Sequence, residues 1–195
     1  MSIARDKALI ALKEQVQDDD IVVAVYQTNF DWMVLNPRPL NYVAVGAMGQ
    51  ASSHGLGLAL ANPDRRVIVF DGDGSLLMNL GTLVTIAGAG VQNLHHFVFH
   101  NHIYEVNGAQ PLPNTNVDFA GMARAAGYPI SIAYEALQDF KADLPDIMSR
   151  RGPQFIELDI VPGAAHPRDY NYIHSAEARQ SFQDALNGRT HGRSA

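Results

Sequence analysis

The residues with the clearest chemical potential form one short run, Asp71-Gly72-Asp73-Gly74-Ser75, set between a β-branched stretch and a helical one. Gly72 and Gly74 let the backbone turn sharply and come close to a ligand. The free N–H groups where a helix starts favour an anion such as phosphate. Asp73 sits beside those donors. A carboxylate next to a phosphate is repulsive unless a cation lies between them, so the run implies a metal ion bridging Asp73 and phosphate oxygens. Mg²⁺ suits one carboxylate with phosphate oxygens and water.

A second loop, His100-Asn101-His102-Ile103-Tyr104-Glu105, follows the next predicted strand. Asn101 offers a neutral amide oxygen 28 residues after Asp73 (73 to 101), room for one helix and one strand. The two loops then lie side by side at one sheet edge. Asp73, Asn101, a backbone carbonyl, phosphate oxygens and water complete an octahedron. Taken alone, GDG is a tight turn and Asn a turn former; it is the joint spacing that points to ligation.

The elements that must hold these loops alternate. Residues 4–17 carry apolar positions at helical spacing, and residues 21–26 are a β-branched run that reads as a buried strand. Asn36-Pro37-Arg38-Pro39 is a loop. Residues 51–61 read as a tightly packed helix of small residues ending at Asn62-Pro63. A strand over 67–70, a helix over 75–89 and a strand over 94–99 follow. Asp118 is placed to cap a helix ending at Gly127. Beyond it come a strand at 130–133, a helix at 135–150 bent or broken at Pro145, a strand at 155–160, and a last helix capped by Ser175. Short buried strands with helical crossovers predict a three-layer α/β/α fold around a central parallel sheet, whose ligands bind beyond the carboxyl ends of the strands. Residues 1–190 read as one domain and 191–195 as a disordered tail.

Composition narrows the function. The chain has 195 residues, 47% of them hydrophobic and 17% charged, with net charge −6. No basic run forms a nucleic-acid surface, no stretch is apolar enough to span a membrane, and the charged N-terminus lacks the centre of a signal peptide. The absence of cysteine removes thiolate metal sites, disulfides and Cys nucleophiles. A cytoplasmic protein is the default reading.

GDGS followed by Asn at this spacing resembles the thiamine diphosphate (ThDP)-dependent enzymes. Their signature is GDG, about 25–30 residues, then an Asn usually paired as Asn-Asn; here the pair reads His100-Asn101. The resemblance implies a ThDP-binding PP domain in which Asp73 and Asn101 ligate the metal by side chain and Ile103 by its backbone carbonyl. Gly72, Gly74, Ser75 and Tyr104 would then contact the cofactor. Gly46-Ala47-Met48-Gly49 resembles the family element that supports the pyrimidine. Met48 is the apolar prop that holds the cofactor bent, with backbone atoms of Gly46 and Met48 on the ring. On its own Met48 reads as core filler; beside GDGS and Asn101 it reads as the prop.

Within the family, GAMGQASSHGLGLALANPDRRVIVFDGDGSLLMNLGTL and HNHIYEVNGAQP are similar to the decarboxylases of sulfopyruvate and phosphonopyruvate. This implies decarboxylation of a small anionic 2-oxo acid to an aldehyde and CO₂. A split carboligating enzyme of the acetolactate synthase type, a non-catalytic ThDP-binding module and a nucleotide-binding protein are the alternatives. The second stretch departs from the family's DNGxYxSTGGQPT at His100, His102, Val106, Asn107, Ala109 and Leu112, near where substrate should sit. The family's pyrimidine-side Glu lies on a separate domain. The acids near strand ends here, Glu105 and Glu157, do not fit that role. A partner (alpha) subunit is therefore implied, in a hetero-oligomer with two-fold symmetry.

Other residues carry two readings. His102 and Asn107 are candidate catalytic groups facing substrate, and His100 can donate to substrate or diphosphate. Asn107 and Gln110 equally shape a loop. Gln27, Thr28 and Asn29 either touch diphosphate or form an ordinary turn. His95 and His96 face opposite sides of a strand as structural groups, His54 is a packed histidine, and Trp32 belongs to an interface or the core.

Overall fold

A computed structural model describes residues 3–43, 48–163 and 166–188. Gly46, Ala47 and the tail at 191–195 lie outside the described residues. The chain opens with strand β1 (Ile3–Ala4), helix α1 (Arg5–Lys13), β2 (Ile21–Ala24), α2 (Tyr26–Leu35), β3 (Asn41–Val43) and α3 (Ala51–Ala61). The centre of the chain holds β4 (Val67–Gly72), α4 (Asp73–Leu77), α5 (Gly81–Ala89) and β5 (Leu94–His100), then a hairpin of β6 (Ile103–Tyr104) and β7 (Gln110–Pro111). The remaining elements are α6 (Phe119–Ala126), β8 (Ile130–Tyr134), α7 (Leu137–Ser149), β9 (Gln154–Val161), α8 (Tyr170–Ile173) and α9 (Ala176–Leu186).

The main sheet runs β1-β9-β5-β4-β2-β3, and β8 also pairs with β9. Every pairing in it is parallel. The outer edge of β9 is shared: β8 pairs along Gln154–Leu158 and β1 takes Ile160 and Val161. Period-two alternation splits the core. Val67 and Val69 face one apolar layer, with Leu56, Leu83 and Phe119. Ile68 and Phe70 face the other, with Leu9, Trp32 and Phe140. Both faces are thus covered by helices, as a parallel sheet requires. The small residues of α3 have a direct cause: a Cβ on Gly55 would stand 2.3 Å from Val69 Cγ2, so only glycine lets the helix lie that close to β4.

Several boundaries differ from the expectation. Residues 21–26 end as a strand at Ala24, and Tyr26 takes φ +50° as α2 begins. Gln27, Thr28 and Asn29 therefore sit in the first turns of a helix, not a loop turn. The strand expected at 67–70 runs through Gly72, and the helix expected at 75–89 is two helices. Around the break, short i−3 bonds (Met78 N–H to the Ser75 carbonyl, Asn79 N–H to that of Leu76) replace the α pattern. Helix α7 runs through Pro145 unbroken. Pro145 is on the exposed side, where water can meet the Lys141 carbonyl that loses its partner. Asp118 and Ser175 cap α6 and α9 as expected, accepting from Gly121 N and Ala178 N. Trp32 is core, packed edge-on against Phe70, with its indole N–H on Asn41 Oδ1 at 2.9 Å. His95 and His96 are both buried and point to opposite faces, toward the Arg150 carbonyl and Asp71.

Candidate functional site: a cleft at the strand tips

The carboxyl ends of β2, β4 and β5 converge on one cleft, as expected of an open parallel sheet. Tyr26, Gln27 and Thr28 of α2 form one wall. Gly72, Asp73, Gly74 and Ser75 form the floor. Met48, Asn101, Ile103, Tyr104 and Glu105 close the other side.

Asp73 is 3% exposed, and its two oxygens are held apart by backbone donors. Oδ1 accepts from Gly74 N at 2.6 Å and Oδ2 from His102 N at 2.7 Å. The second bond ties the β4 tip to the β5 tip. Burial raises the Asp73 pKa, and the N–H groups of Gly74 and His102, with the nearby His100, offset only part of that. A buried carboxylate kept costly by desolvation, with lone pairs still free, is suited to a cation. Asn101 Oδ1 accepts from Ile103 N at 3.1 Å, leaving its second lone pair free. The Ile103 carbonyl is available too. In the β6–β7 hairpin the carbonyls of His102 and Tyr104 accept from Leu112 and Ala109, so the intervening carbonyl of Ile103 turns away from β7. Among the described residues no cluster of three His, Cys, Asp or Glu forms a metal centre. A cation here would draw on the Asp73 carboxylate with amide and carbonyl oxygens, hard donors of the kind Mg²⁺ takes.

The glycines act through close approach rather than a turn. Neither Gly72 nor Gly74 has positive φ. Gly72 is extended, and a Cβ there would meet no protein atom within 4 Å. A Cβ on Gly74 would lie 2.6 Å from Cδ1 and Cε1 of Tyr104, so the tyrosine ring covers that glycine directly. Ser75 Oγ accepts from Gly49 N at 3.0 Å, locking the Met48-bearing turn onto the GDGS run. Gly49 has φ +83°, which lets that turn fold back.

His102 and Asn107 are not brought to the cleft. His102 has φ +65°, which turns its ring to the outer side of the metal loop. There its ring nitrogens face the Thr115 carbonyl at 3.0 Å and Asp159 Oδ1 at 2.9 Å. Burial lowers its pKa, but these acceptors outweigh it and the net shift is upward. His100 is buried behind the cleft, between Glu157 and Asp73: Nδ1 donates to Glu157 Oε1 at 2.8 Å, and Nε2 stands 3.9 Å from Asp73 Oδ2. Asn107 and Gln110 are exposed on the hairpin. Glu157 is committed to His100 and to Ala120 N at the start of α6. The residue that sequence reasoning missed is Arg5, a buried cation lining the cleft and bound to Asp31 and Glu105. Nothing in its local sequence signals that contact, which spans 100 residues.

Fold and site together define an open parallel α/β sheet with a polar cleft at the tips of adjacent strands. The chain belongs to the thiamine pyrophosphate enzymes: residues 23–158 match the family's C-terminal TPP binding domain. It is 33% identical over 186 residues to a phosphonopyruvate decarboxylase of Streptomyces viridochromogenes, covering 93% of this chain and 47% of that protein. It is also 33% identical over 186 residues to the sulfopyruvate decarboxylase subunit beta of Methanococcus maripaludis, covering 95% of this chain and 99% of that subunit. The crystal structure of benzoylformate decarboxylase from Polynucleobacter necessarius shares the fold, with a TM-score of 0.67 at 17% identity over 84% of this chain and 34% of that one. The chain therefore spans about half the length of its phosphonopyruvate decarboxylase relative. Among the described residues, no helix is long and apolar enough to cross a membrane.

Proposed function

We propose that this chain is the diphosphate-binding (beta) subunit of a cytoplasmic ThDP-dependent decarboxylase acting on a small anionic 2-oxo acid such as sulfopyruvate or phosphonopyruvate. One observation carries the reading: a buried Asp73 carboxylate and the Asn101 amide meet at adjacent strand tips, joined by the 2.7 Å bond from His102 N. Asp73, Asn101 and the Ile103 carbonyl would hold Mg²⁺. Gly72, Gly74, Ser75 and Tyr104 would contact the diphosphate, and Met48 would support the cofactor. When bound, ThDP supplies the electron sink that lets CO₂ leave a 2-oxo acid. This chain's own work is to fix the diphosphate end, keep water from Asp73 and present the cofactor toward a partner.

The partner requirement follows from how the cleft's acids are engaged. Asp73 is held by two N–H groups, and Glu105 is paired with Arg5 and Asn101. Neither is free to face a pyrimidine nitrogen, which supports a source for that glutamate outside the described residues; the reading assigns it to an alpha subunit in a two-fold symmetric hetero-oligomer. The test is to assay the purified chain alone and with a candidate alpha subunit, offering sulfopyruvate, phosphonopyruvate and pyruvate. Turnover should need both subunits, ThDP and Mg²⁺, and should give aldehyde and CO₂. Ketol product would assign the complex to carboligation instead, and robust turnover by the chain alone would overturn the split site.

A further inference from the structure

The amide of Asn101 presents two faces of nearly equal shape, and only its oxygen can ligate a cation. A half-turn about the last side-chain bond would offer the NH₂ instead. Two contacts set the orientation. Ile103 N donates to Oδ1 at 3.1 Å, and Nδ2 donates to Glu105 Oε2 at 3.0 Å. An ionised carboxylate accepts only, so Glu105 can face the NH₂ but not the oxygen.

Glu105 is in turn fixed from far away in sequence. Arg5 grips it with two guanidinium nitrogens, Nη1 to Oε2 at 2.5 Å and Nη2 to Oε1 at 3.3 Å. Arg5 Nε is anchored on Asp31 Oδ2 at 2.8 Å, and both of those side chains are almost fully buried. The fork geometry leaves the carboxylate little freedom. It also neutralises a second negative charge beside Asp73 and keeps it from swinging in as a competing ligand.

We infer that Glu105, clamped by Arg5, is the positioning residue that turns the Asn101 oxygen toward the cation and so sets the affinity for Mg²⁺ and, through it, for ThDP. This rests on the ligand reading of Asp73 and Asn101. The clamp reaches the metal through Asn101 and touches no reacting atom.

The consequence is specific. One oxygen, Oε2, accepts from both Arg5 Nη1 and Asn101 Nδ2, so glutamine could still serve both donors and the decisive variant is Glu105→Leu, which removes the acceptor. The freed Arg5 guanidinium only donates, so Asn101 turns its oxygen toward Arg5 and its nitrogen meets the cation. Orienting partners of metal ligands typically contribute 10–100-fold in metal affinity, so the Mg²⁺ concentration that supports half-maximal ThDP binding should rise roughly 10–100-fold. A carboxylate at position 101 has oxygen on both faces, so a flip there costs nothing. Asn101→Asp alone should also weaken Mg²⁺, because two carboxylates then oppose each other. Asn101→Asp combined with Glu105→Leu should return to within about threefold of the wild type, since the new carboxylate can face Arg5 with one oxygen and the cation with the other.

The experiment is calorimetric titration of ThDP into the full chain, with any co-purifying partner, at a series of Mg²⁺ concentrations. Thermal unfolding without ligands serves as the control for folding. A general loss of structure would not be repaired by a second substitution, so recovery in the double variant distinguishes positioning from stability. The inference is overturned if Glu105→Leu keeps Mg²⁺ dependence within threefold, or if the double variant binds no better than Glu105→Leu. If the wild type itself shows no Mg²⁺-dependent ThDP binding, or Asp73→Ala leaves that binding intact, the metal-site reading fails first and the clamp with it.

Discussion

Two glycine-to-alanine changes in this chain should move stability in opposite directions. Gly57 lies on the exposed side of α3, where an added Cβ meets nothing within 4 Å. Alanine there gains helix propensity and restricts the unfolded chain, worth about 0.5–1 kcal/mol. Gly74 is the second residue of α4, where the same methyl would lie 2.6 Å from two carbons of the Tyr104 ring. Carbon atoms at rest sit about 3.5–4.0 Å apart, so the overlap is about 1 Å. Overpacking of that kind costs about 1–3 kcal/mol. For a domain of this size 1 kcal/mol is about 2–4 °C in Tm. Gly57→Ala should therefore raise Tm by about 1–4 °C, and Gly74→Ala should lower it by about 2–12 °C. Adding Tyr104→Ala removes the obstacle, so Gly74→Ala made in that background should be neutral or stabilising. The assay is thermal unfolding by circular dichroism of the four variants and wild type, read as a double-mutant cycle for the Gly74–Tyr104 pair. Equal shifts of the same sign for Gly57→Ala and Gly74→Ala, or no coupling in the cycle, would refute the close approach of Tyr104 over the GDGS run.

Joint saturation with ThDP and Mg²⁺ at a hundred times Kd should stabilise the chain by about 2.7 kcal/mol, or about 5–11 °C. Neither ligand alone should do so, and Asp73→Ala should abolish the shift; a shift that ignores Mg²⁺ would count against the bridging cation. Removing the Arg5 guanidinium in Arg5→Met leaves buried Asp31 with Gln27 and His166 as its remaining partners and should cost about 3 kcal/mol in urea unfolding, the low end for a broken buried pair, whereas an unchanged midpoint would show the pair to be dispensable. Burial, with Arg66 nearby, holds the His95 pKa at about 4 against an ordinary 6.5. The unfolded chain therefore takes up this proton first. Stability is intact above about pH 6.5, falls by about 2 kcal/mol by pH 5, and by about 3 kcal/mol at pH 4. His95→Gln should lose less stability than wild type between pH 7 and 5, and parallel losses would contradict the assignment.

The closeness of Asp73 to Asn101 was legible in the sequence because each sits at the tip of a strand, and the crossover between the tips has a length set by one helix and one strand. Asp73 and Asn101 thus announce their proximity through spacing alone. The parallel sheet was legible for a related reason, since β-branched runs buried on both faces recur between helical segments. What was hidden is whatever depends on a single backbone dihedral or a distant contact. Residues 21–26 read as one strand because Val25 continues the apolar run, yet a left-handed Tyr26 turns the chain directly into α2. β3 is three residues long, too short to show a period. His102 seemed poised for chemistry by adjacency to Asn101, but its φ of +65° sends the ring to Asp159 on the outer side. Gly72 looked like a hinge and is extended strand, its lack of a side chain keeping the cleft open instead.

The least expected part of the site is its dependence on a segment that precedes the family match. That match begins at residue 23, whereas Arg5 lies in the first turn of α1. β1 adds to the outer edge of β9 beside Ile160 and Val161, which carries the start of α1 to the carboxyl end of the sheet. Leu9 and Leu12 then seal α1 into the core layer that also holds Trp32 and Phe140. The hydrophobic burial of α1 thus fixes where the Arg5 guanidinium stands, and the guanidinium fixes Glu105. A charge placed by packing needs no reorganisation when a cation arrives, because the acid beside the metal loop is already neutralised and already turned away from the metal. The same burial makes the arrangement unforgiving. A lysine at position 5 would keep the charge but lose the planar fork that holds both Glu105 oxygens, so the identity of this residue is dictated by geometry and not by charge alone.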